Sequence, residues 1–307
     1  MDINIFVEQL LNGFQLGMLL FLFAAGLTLV FGIMDLVNLA HGSIYMVGAF
    51  TAATLTLWLD SFILGIIFAL PLTLLFGMVL EFIALRTIYA RDHMDQVLAT
   101  FGLILFLNEL VRIIWGPAGL AIPLPILLDG SINLPLGIVY PTYRLFIILI
   151  GVLVAIGLYW LVAKTRLGML IRAGASNRVM ASALGVNIRL LFTAVFGLGA
   201  MLAGLAGMLI APINQAQIGM GEEILILAFV VIVIGGIGSI RGAFIASILA
   251  GVIDTMGRAF LDVVLLALLP SNAAEAAGPA LSSMLIYLLM AAVLVFRPQG
   301  LFPPRGG

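Results

Sequence analysis

LLNGFQLGMLLFLFAAGLTLVFGI, residues 10–33, is the stretch that decides how this chain folds. No charged side chain interrupts it. About 20 mostly apolar residues cross a bilayer as a helix, so the run is long enough to span. Its apolar positions are continuous rather than alternating, which favours a helix over a barrel strand. Eight further apolar runs follow, at 42–58, 62–85, 97–114, 143–163, 189–211, 223–237, 242–258 and 281–296. Over 307 residues the chain is 64% hydrophobic and 9% charged, with a mean hydropathy of +1.30. A soluble domain is about 45–50% apolar and about 25% charged, and no soluble core needs this much apolar surface. The expected fold is an all-α polytopic transmembrane helix bundle of about 8–9 membrane segments, forming one domain over residues 1–307. The runs at 42–58 and 223–237 are short or rich in Gly. They are candidates for broken, re-entrant or half-helices inside the bundle.

Basic residues set the orientation. With the N-terminus outside and the C-terminus cytoplasmic, Arg86, Arg91, Lys164, Arg166, Arg172, Arg178, Arg189, Arg241, Arg297 and Arg305 fall inside. Only Arg112, Arg144 and Arg258 then fall outside. The outer side also holds Asp60, Asp129, Glu222, Glu223, Asp262 and Glu275. The N-terminal MDINIFVEQL carries Asp2 and Glu8 and no Lys or Arg. It therefore lacks the basic start of a cleavable signal peptide, and the first apolar run is expected to be retained. Residues 115–142, with Pro117, Pro123, Pro125, Pro135 and Pro141, form an extracytoplasmic loop expected to contain turns or a short hairpin.

Several chemistries are excluded. The absence of Cys rules out disulfides, thiolate catalysis and Cys-ligated metal sites. The P-loop pattern needs a Lys after glycines. Lys164 is the only Lys, and Tyr159-Trp160-Leu161-Val162-Ala163 before it has no glycine. An ion-coupled carrier would need ionisable groups deep in the bilayer. The pairs Glu109/Arg112 and Asp254/Arg258 lie three and four residues apart near outer helix ends, in the favourable acid-first order. Glu81 lies near an inner end. These groups either neutralise one another at the interface or line a substrate path. None sits at a bilayer midplane, which favours an energy source on another subunit.

The inner loop, residues 164–188, carries the densest basic stretch in the chain, and its residues 172–187 carry a short helix signal. Ser176 or Asn177 can cap it. Val179 with Ala183, and Met180 with Leu184, give an apolar stripe, and Gly185 suits its end. Such a face packs either on the protein's own inner surface or in a groove on a partner. Asn38 and His41 fall where the first span meets the second, read as near the cytoplasmic face. They suit either an inner gate, with Gly42 and Ser43, or a capped tight turn. His41 has no second metal ligand nearby. Gly235, Gly236 and Gly238 interrupt an apolar helix, as an unwound path-lining segment or as close packing. Gly199, Ala203 and Gly207 recur every fourth residue, a packing pattern that also suits an interface with another subunit. Gly42-Ser43-Ile44 followed by Gly48-Ala49-Phe50, and Gly238-Ser239-Ile240 followed by Gly242-Ala243-Phe244, raise the possibility of duplicated halves.

The loop resembles the coupling segment of ABC-importer permeases, although Arg172-Ala173-Gly174 stands where those proteins carry Glu-Ala-Ala. More specific stretches resemble the LivH type of branched-chain amino acid permease: Gly26-Leu27-Thr28-Leu29-Val30-Phe31-Gly32, Val37-Asn38-Leu39-Ala40-His41-Gly42-Ser43 and Leu184-Gly185-Val186-Asn187. So do Leu202-Ala203-Gly204-Leu205-Ala206-Gly207, Gly235-Gly236-Ile237-Gly238-Ser239-Ile240-Arg241-Gly242 and Arg297-Pro298-Gln299-Gly300-Leu301-Phe302. Together they cover nearly the whole chain. The resemblance implies a bacterial inner-membrane permease that is not itself an enzyme and carries no cofactor, metal or nucleic acid. It would pair with a second, LivM-like permease, two ATP-binding subunits and an extracytoplasmic substrate-binding protein. ATPase coupling would fall on Arg172, Ala173, Ser176, Asn177, Met180, Ala181, Leu184 and Gly185. The path or gate would include Asn38, His41, Gly42, Ser43, Gly235, Gly236 and Gly238. The resemblance implies a cargo range from branched-chain amino acids to urea, short amides, other amino acids and aromatic acids. The rival classes are a secondary carrier or channel working without ATPases and a membrane-embedded enzyme or assembly factor. The first predicts gradient-driven transport by this chain alone, and the second needs a polar cluster within the bilayer.

Overall fold

A computed structural model describes residues 3–267 and 270–302. Each of the nine apolar runs becomes a helix. In chain order these are α1 (Ile3–Met34), α2 (His41–Leu59), α3 (Phe62–Ile83), α4 (His93–Trp115) and α5 (Thr142–Lys164). Two short helices follow, α6 (Arg166–Ser176) and α7 (Arg178–Ala183), then α8 (Ile188–Asn214), α9 (Met220–Gly235), α10 (Ile240–Leu266) and α11 (Ser271–Phe296). Seven helices are each long and apolar enough to cross a membrane. α9 and α10 pass that test only as a pair, bent by 119° at the break between them. The predicted break near 223–237 is therefore present, at its C-terminal edge. α2, in contrast, is one unbroken 19-residue helix. The 115–142 loop forms the expected hairpin. β1 (Ser131–Leu134) pairs antiparallel with β2 (Ile138–Pro141), and Ser131 faces Pro141.

α1 and α8 form the centre of the bundle, with 83% and 78% of their most apolar windows buried. α3, α4, α5 and α11 bury only 11–22% and turn large apolar side chains such as Phe82, Trp160 and Phe296 outward. Such a surface suits lipid contact rather than water. Lipid tails are as apolar as the helices, so tight backbone packing, not hydrophobic burial, holds the helices together. Glycines supply it at successive crossings. A side chain on Gly26 of α1 would come within 2.5 Å of the Gly199 carbonyl on α8, and one on Gly48 of α2 within 2.4 Å of Gly204. Gly207 lies against the Tyr45 carbonyl. Gly199 and Gly207 are thus consumed inside the chain, which leaves neither free to face another subunit.

The contacts sort the connecting segments to two ends. At one, Gly32 meets Gly238, Gly174 meets Ile33 and Leu191, and Gly236 meets Gln299 and Phe302. At the other, Leu120 bridges Ala216 and Tyr140 reaches Asn12. Nine of the ten basic residues assigned inside by sequence lie at the first end; the tenth, Arg305, is outside the described residues. Arg112, Arg144 and Arg258 lie at the second.

Candidate translocation site and coupling segment

After α1 ends at Met34, the chain does not go straight into a second span. Residues 35–40 run back into the bundle as irregular backbone, with Leu36, Asn38 and Ala40 fully buried and the Val37 amide donating to Gln96 Oε1 at 3.2 Å. α2 starts only there. His41 stacks edge-on against Phe23, with ring centroids 4.9 Å apart, and its Nε2 lies over Gly26. Phe23 and Gly26 are 11 and 8 residues short of the end of α1. At a rise of 1.5 Å per residue, His41 sits about 12–16 Å inside the bundle. This corrects the sequence placement of Asn38 and His41 near the cytoplasmic face.

Polar atoms here are buried without partners. Thr28 Oγ1, both amide atoms of Asn38, both ring nitrogens of His41 and Ser43 Oγ have no hydrogen bond. The Phe23 backbone carbonyl lies close to the His41 ring but outside hydrogen-bonding geometry. Burial of an unsatisfied polar group costs about 1–3 kcal/mol. No side chain caps α2, since Ala40 holds the N-cap position. Gly42 touches Gly221, so the start of α2 meets the start of α9 backbone to backbone. The Gly26–Gly32 and Val37–Ser43 motifs therefore converge where the buried polar groups cluster.

Gly235, Gly236 and Gly238 lie elsewhere, at the α9–α10 elbow. Gly236 and Gly238 have φ of +102° and +84°, which L side chains rarely adopt. Gly235 packs on Gly242. The carbonyls of Ile234 and Gly235 accept from the amides of Leu301 and Phe302, at 2.8 and 3.0 Å. The tail motif after α11 thus caps the last turn of α9, a role not legible in sequence. Arg241 stacks over the Phe302 ring, 5.4 Å from its centre. Because Gly238 meets Gly32 near the end of α1, while Gly42 meets Gly221 at the start of α9, the two similar Gly-Ser-Ile motifs do not occupy equivalent depths.

The 172–187 segment holds the last residues of α6 and the whole of α7. Asn177, not Ser176, caps α7, its Oδ1 accepting from the Met180 amide at 2.9 Å. Gly185, at φ +89°, ends it, and the Val186 amide returns to the Ala181 carbonyl at 3.1 Å. Ile171, Gly174 and Ala181 pack inward. Arg172, Ala173 and Ser176 are exposed. Val179, Met180 and Leu184 stay 81%, 58% and 79% exposed. The predicted stripe is present and uncovered.

Ion pairs lie at both ends. Buried Glu81 binds Arg86 at 3.2 Å, Tyr89 Oη at 2.5 Å and Thr193 Oγ1 at 2.7 Å, tying α3 to α8. Burial, and then the hydrogen bond to the Glu81 carboxylate, pushes the Tyr89 hydroxyl well above its ordinary value, so it remains a neutral donor. At the other end Asp254 pairs with Arg258, and Glu109 with Arg112, each at 2.9 Å. Burial holds the Tyr140 hydroxyl at about 12, and it donates to Asn12 Oδ1 at 3.1 Å.

Comparison with known proteins agrees with this architecture. The family model described as the permease component of branched-chain amino acid transport systems matches residues 9–294. The chain is 31% identical to the high-affinity branched-chain amino acid transport permease BraD of Pseudomonas aeruginosa, over 98% of this chain and 96% of that protein. It is 32% identical to LivH of Salmonella typhimurium, over 86% and 91%. It is also 28% identical to LivM of Escherichia coli, over 94% of this chain and 68% of that one. No solved structure matches the chain. A multi-pass bundle with a family model matched over nearly its full length leaves one assignment: this chain belongs to the permease-component family of branched-chain amino acid transport systems, multi-pass proteins of the bacterial inner membrane.

Proposed function

We propose that the chain is the membrane-spanning half of an ABC importer for branched-chain or related small amino acids. Separate ATP-binding subunits, a LivM-like second permease and an extracytoplasmic binding protein complete it. The observation that carries this reading is the bare apolar face of α7, with Val179, Met180 and Leu184 at the end of the bundle where the basic residues gather. A soluble end of a membrane protein gains nothing from three exposed apolar side chains unless a partner covers them. That end is cytoplasmic by the charge rule, which puts α7 where ATP-binding subunits reach it.

The cycle is alternating access. Nucleotide binding draws the ATP-binding subunits together. The motion enters through α7 and passes into α8, whose first turn is capped by Asn187. Thr193 on α8 and Glu81 on α3 move as one through their hydrogen bond. Asn38, His41, Gly42 and Ser43 form the gate. Their unpaired polar atoms destabilise the closed state, and an open, hydrated path satisfies them. The Gly235–Gly238 elbow is the hinge on which α9 swings. The test is co-purification with the ATP-binding subunits encoded beside this chain. Val179→Glu and Leu184→Glu each weaken capture at least tenfold, about 1.4 kcal/mol, while the permease still elutes as a single folded species. Unchanged capture by both variants contradicts the docking role.

A further inference from the structure

A cavity of about 640 Å³ opens at the end opposite α7, between α1, α5, α8 and α10. Its walls are divided. Leu16 and Leu19 of α1 face Ile210 and Ile213 of α8 and form an apolar floor. Gln9, Asn12 and Arg144 form a polar mouth on one side, with Thr255 and Arg258 on the other. Volumes of 300–1,000 Å³ with an apolar lining and a few convergent polar groups are those of small-molecule sites.

Arg144 stands out electrostatically. Of the three basic residues at this end, Arg112 and Arg258 each pair with an acid on their own helix. Among the described residues no carboxylate lies within 4.0 Å of Arg144. One guanidinium nitrogen donates to Asn12 Oδ1, an oxygen that also accepts from Tyr140. Asn12 is held in turn by its amide nitrogen on Gln9 Oε1, at 3.2 Å. A guanidinium has five donors in a fork that matches a carboxylate. Here the fork is oriented by a neutral amide and its charge is left unbalanced at the mouth of a pocket with an aliphatic floor.

The pocket and the buried polar cluster around His41 lie along one face of α1. Gln9, Asn12, Leu16, Leu19 and Phe23 follow one another at three- and four-residue spacing, one face of α1. One turn below Leu19, Phe23 stacks edge-on against both His41 and Tyr45, at 4.9 and 5.6 Å. On α8, Gly207 lies one turn below Ile210 and touches the Tyr45 carbonyl.

We propose that this pocket is the receiving site for cargo within the permease: Arg144 takes the carboxylate of a small zwitterion, and the Leu16–Leu19–Ile210–Ile213 floor takes its aliphatic side chain. The amide oxygens of Gln15 and Asn214 and the Thr255 hydroxyl are the acceptors for its ammonium group. From here the cargo passes the Phe23–Tyr45–His41 constriction. The cargo class rests on the importer reading, but the site itself does not require ATP-binding subunits.

The chain contains no Cys, so a single Cys reports on the pocket. Full-length Ile213→Cys in phosphatidylcholine nanodiscs is labelled with a neutral, water-soluble methanethiosulfonate, with and without L-leucine, L-isoleucine or L-valine. At least one of these slows labelling about tenfold, and leucinol, which lacks the carboxylate, does not. Adding Arg144→Gln leaves the unprotected labelling rate unchanged, showing an intact pocket, and abolishes protection; Arg144→Lys keeps part of it. Protection by phosphatidylglycerol but by none of the amino acids would mean an anionic lipid headgroup site and overturn the proposal. So would full protection in Arg144→Gln, or no protection by any of the three amino acids. Protection that depends on Arg144 in a chain that captures no ATP-binding subunit supports the site while the importer reading fails.

Discussion

His41 carries two ring nitrogens into a part of the bundle that offers neither a partner. Asn38, three residues before it, does the same with its amide. If these groups served only the resting fold, apolar residues of similar size would be better there. His41→Leu and Asn38→Leu are therefore expected to raise the melting temperature in detergent, each recovering about 1–3 kcal/mol. Both are expected to cut transport at least tenfold, because the hydrated open state loses its polar lining. A variant that lowers stability, or leaves transport intact, contradicts the gate. The sequence showed which residues were unusual but not their depth. The polar break at 34–41 reads as a loop, and a loop is expected at the surface. That residues 35–40 turn back into the bundle depends on the long-range contact of His41 with Phe23 and Gly26, which no local pattern encodes. Arg144 was likewise legible only as one outer basic residue, since its partner Asn12 lies 132 positions away.

Among the elements, α7 and the α9–α10 elbow differ in how they are held. α7 was readable because caps and stripe are local: Asn177, the Val179–Leu184 face and Gly185 follow rules of short range. The elbow was readable as a run of glycines, but its brace was not, because Leu301 and Phe302 reach it from the other side of α11. Gly236→Ala is expected to cost about 1–3 kcal/mol, since it forces φ +102° on an L residue and brings Cβ to 3.0 Å from the Phe302 carbonyl. Deleting residues 300–307 should destabilise the same elbow. Limited proteolysis would then show faster cleavage near residues 236–239 in both variants, with α1 and α8 still protected. Unchanged cleavage would mean that the tail does not brace the hinge.

At the scale of the whole molecule, composition and nine apolar runs were enough to give an all-α polytopic bundle, because crossing lipid leaves so few backbone solutions. Which helices lie at the centre was not given by hydropathy. α3 is the more apolar and α8 the more buried, and glycine contacts rather than apolarity decide it. The orientation is testable directly. In this Cys-free chain, Asp129→Cys should react with an impermeant thiol reagent added outside intact cells, and Ser182→Cys only after the cells are opened. The reverse pattern would put α7 on the wrong side for any ATP-binding subunit. The most direct measurement of the central claim is uptake of labelled L-leucine into proteoliposomes. One set holds this chain with the second permease, the ATP-binding subunits and the binding protein; another holds this chain alone under proton and sodium gradients. Uptake that requires the full set and ATP is the predicted result. Uptake by the isolated chain under a gradient, with no ATP, would contradict the account and make this a secondary carrier.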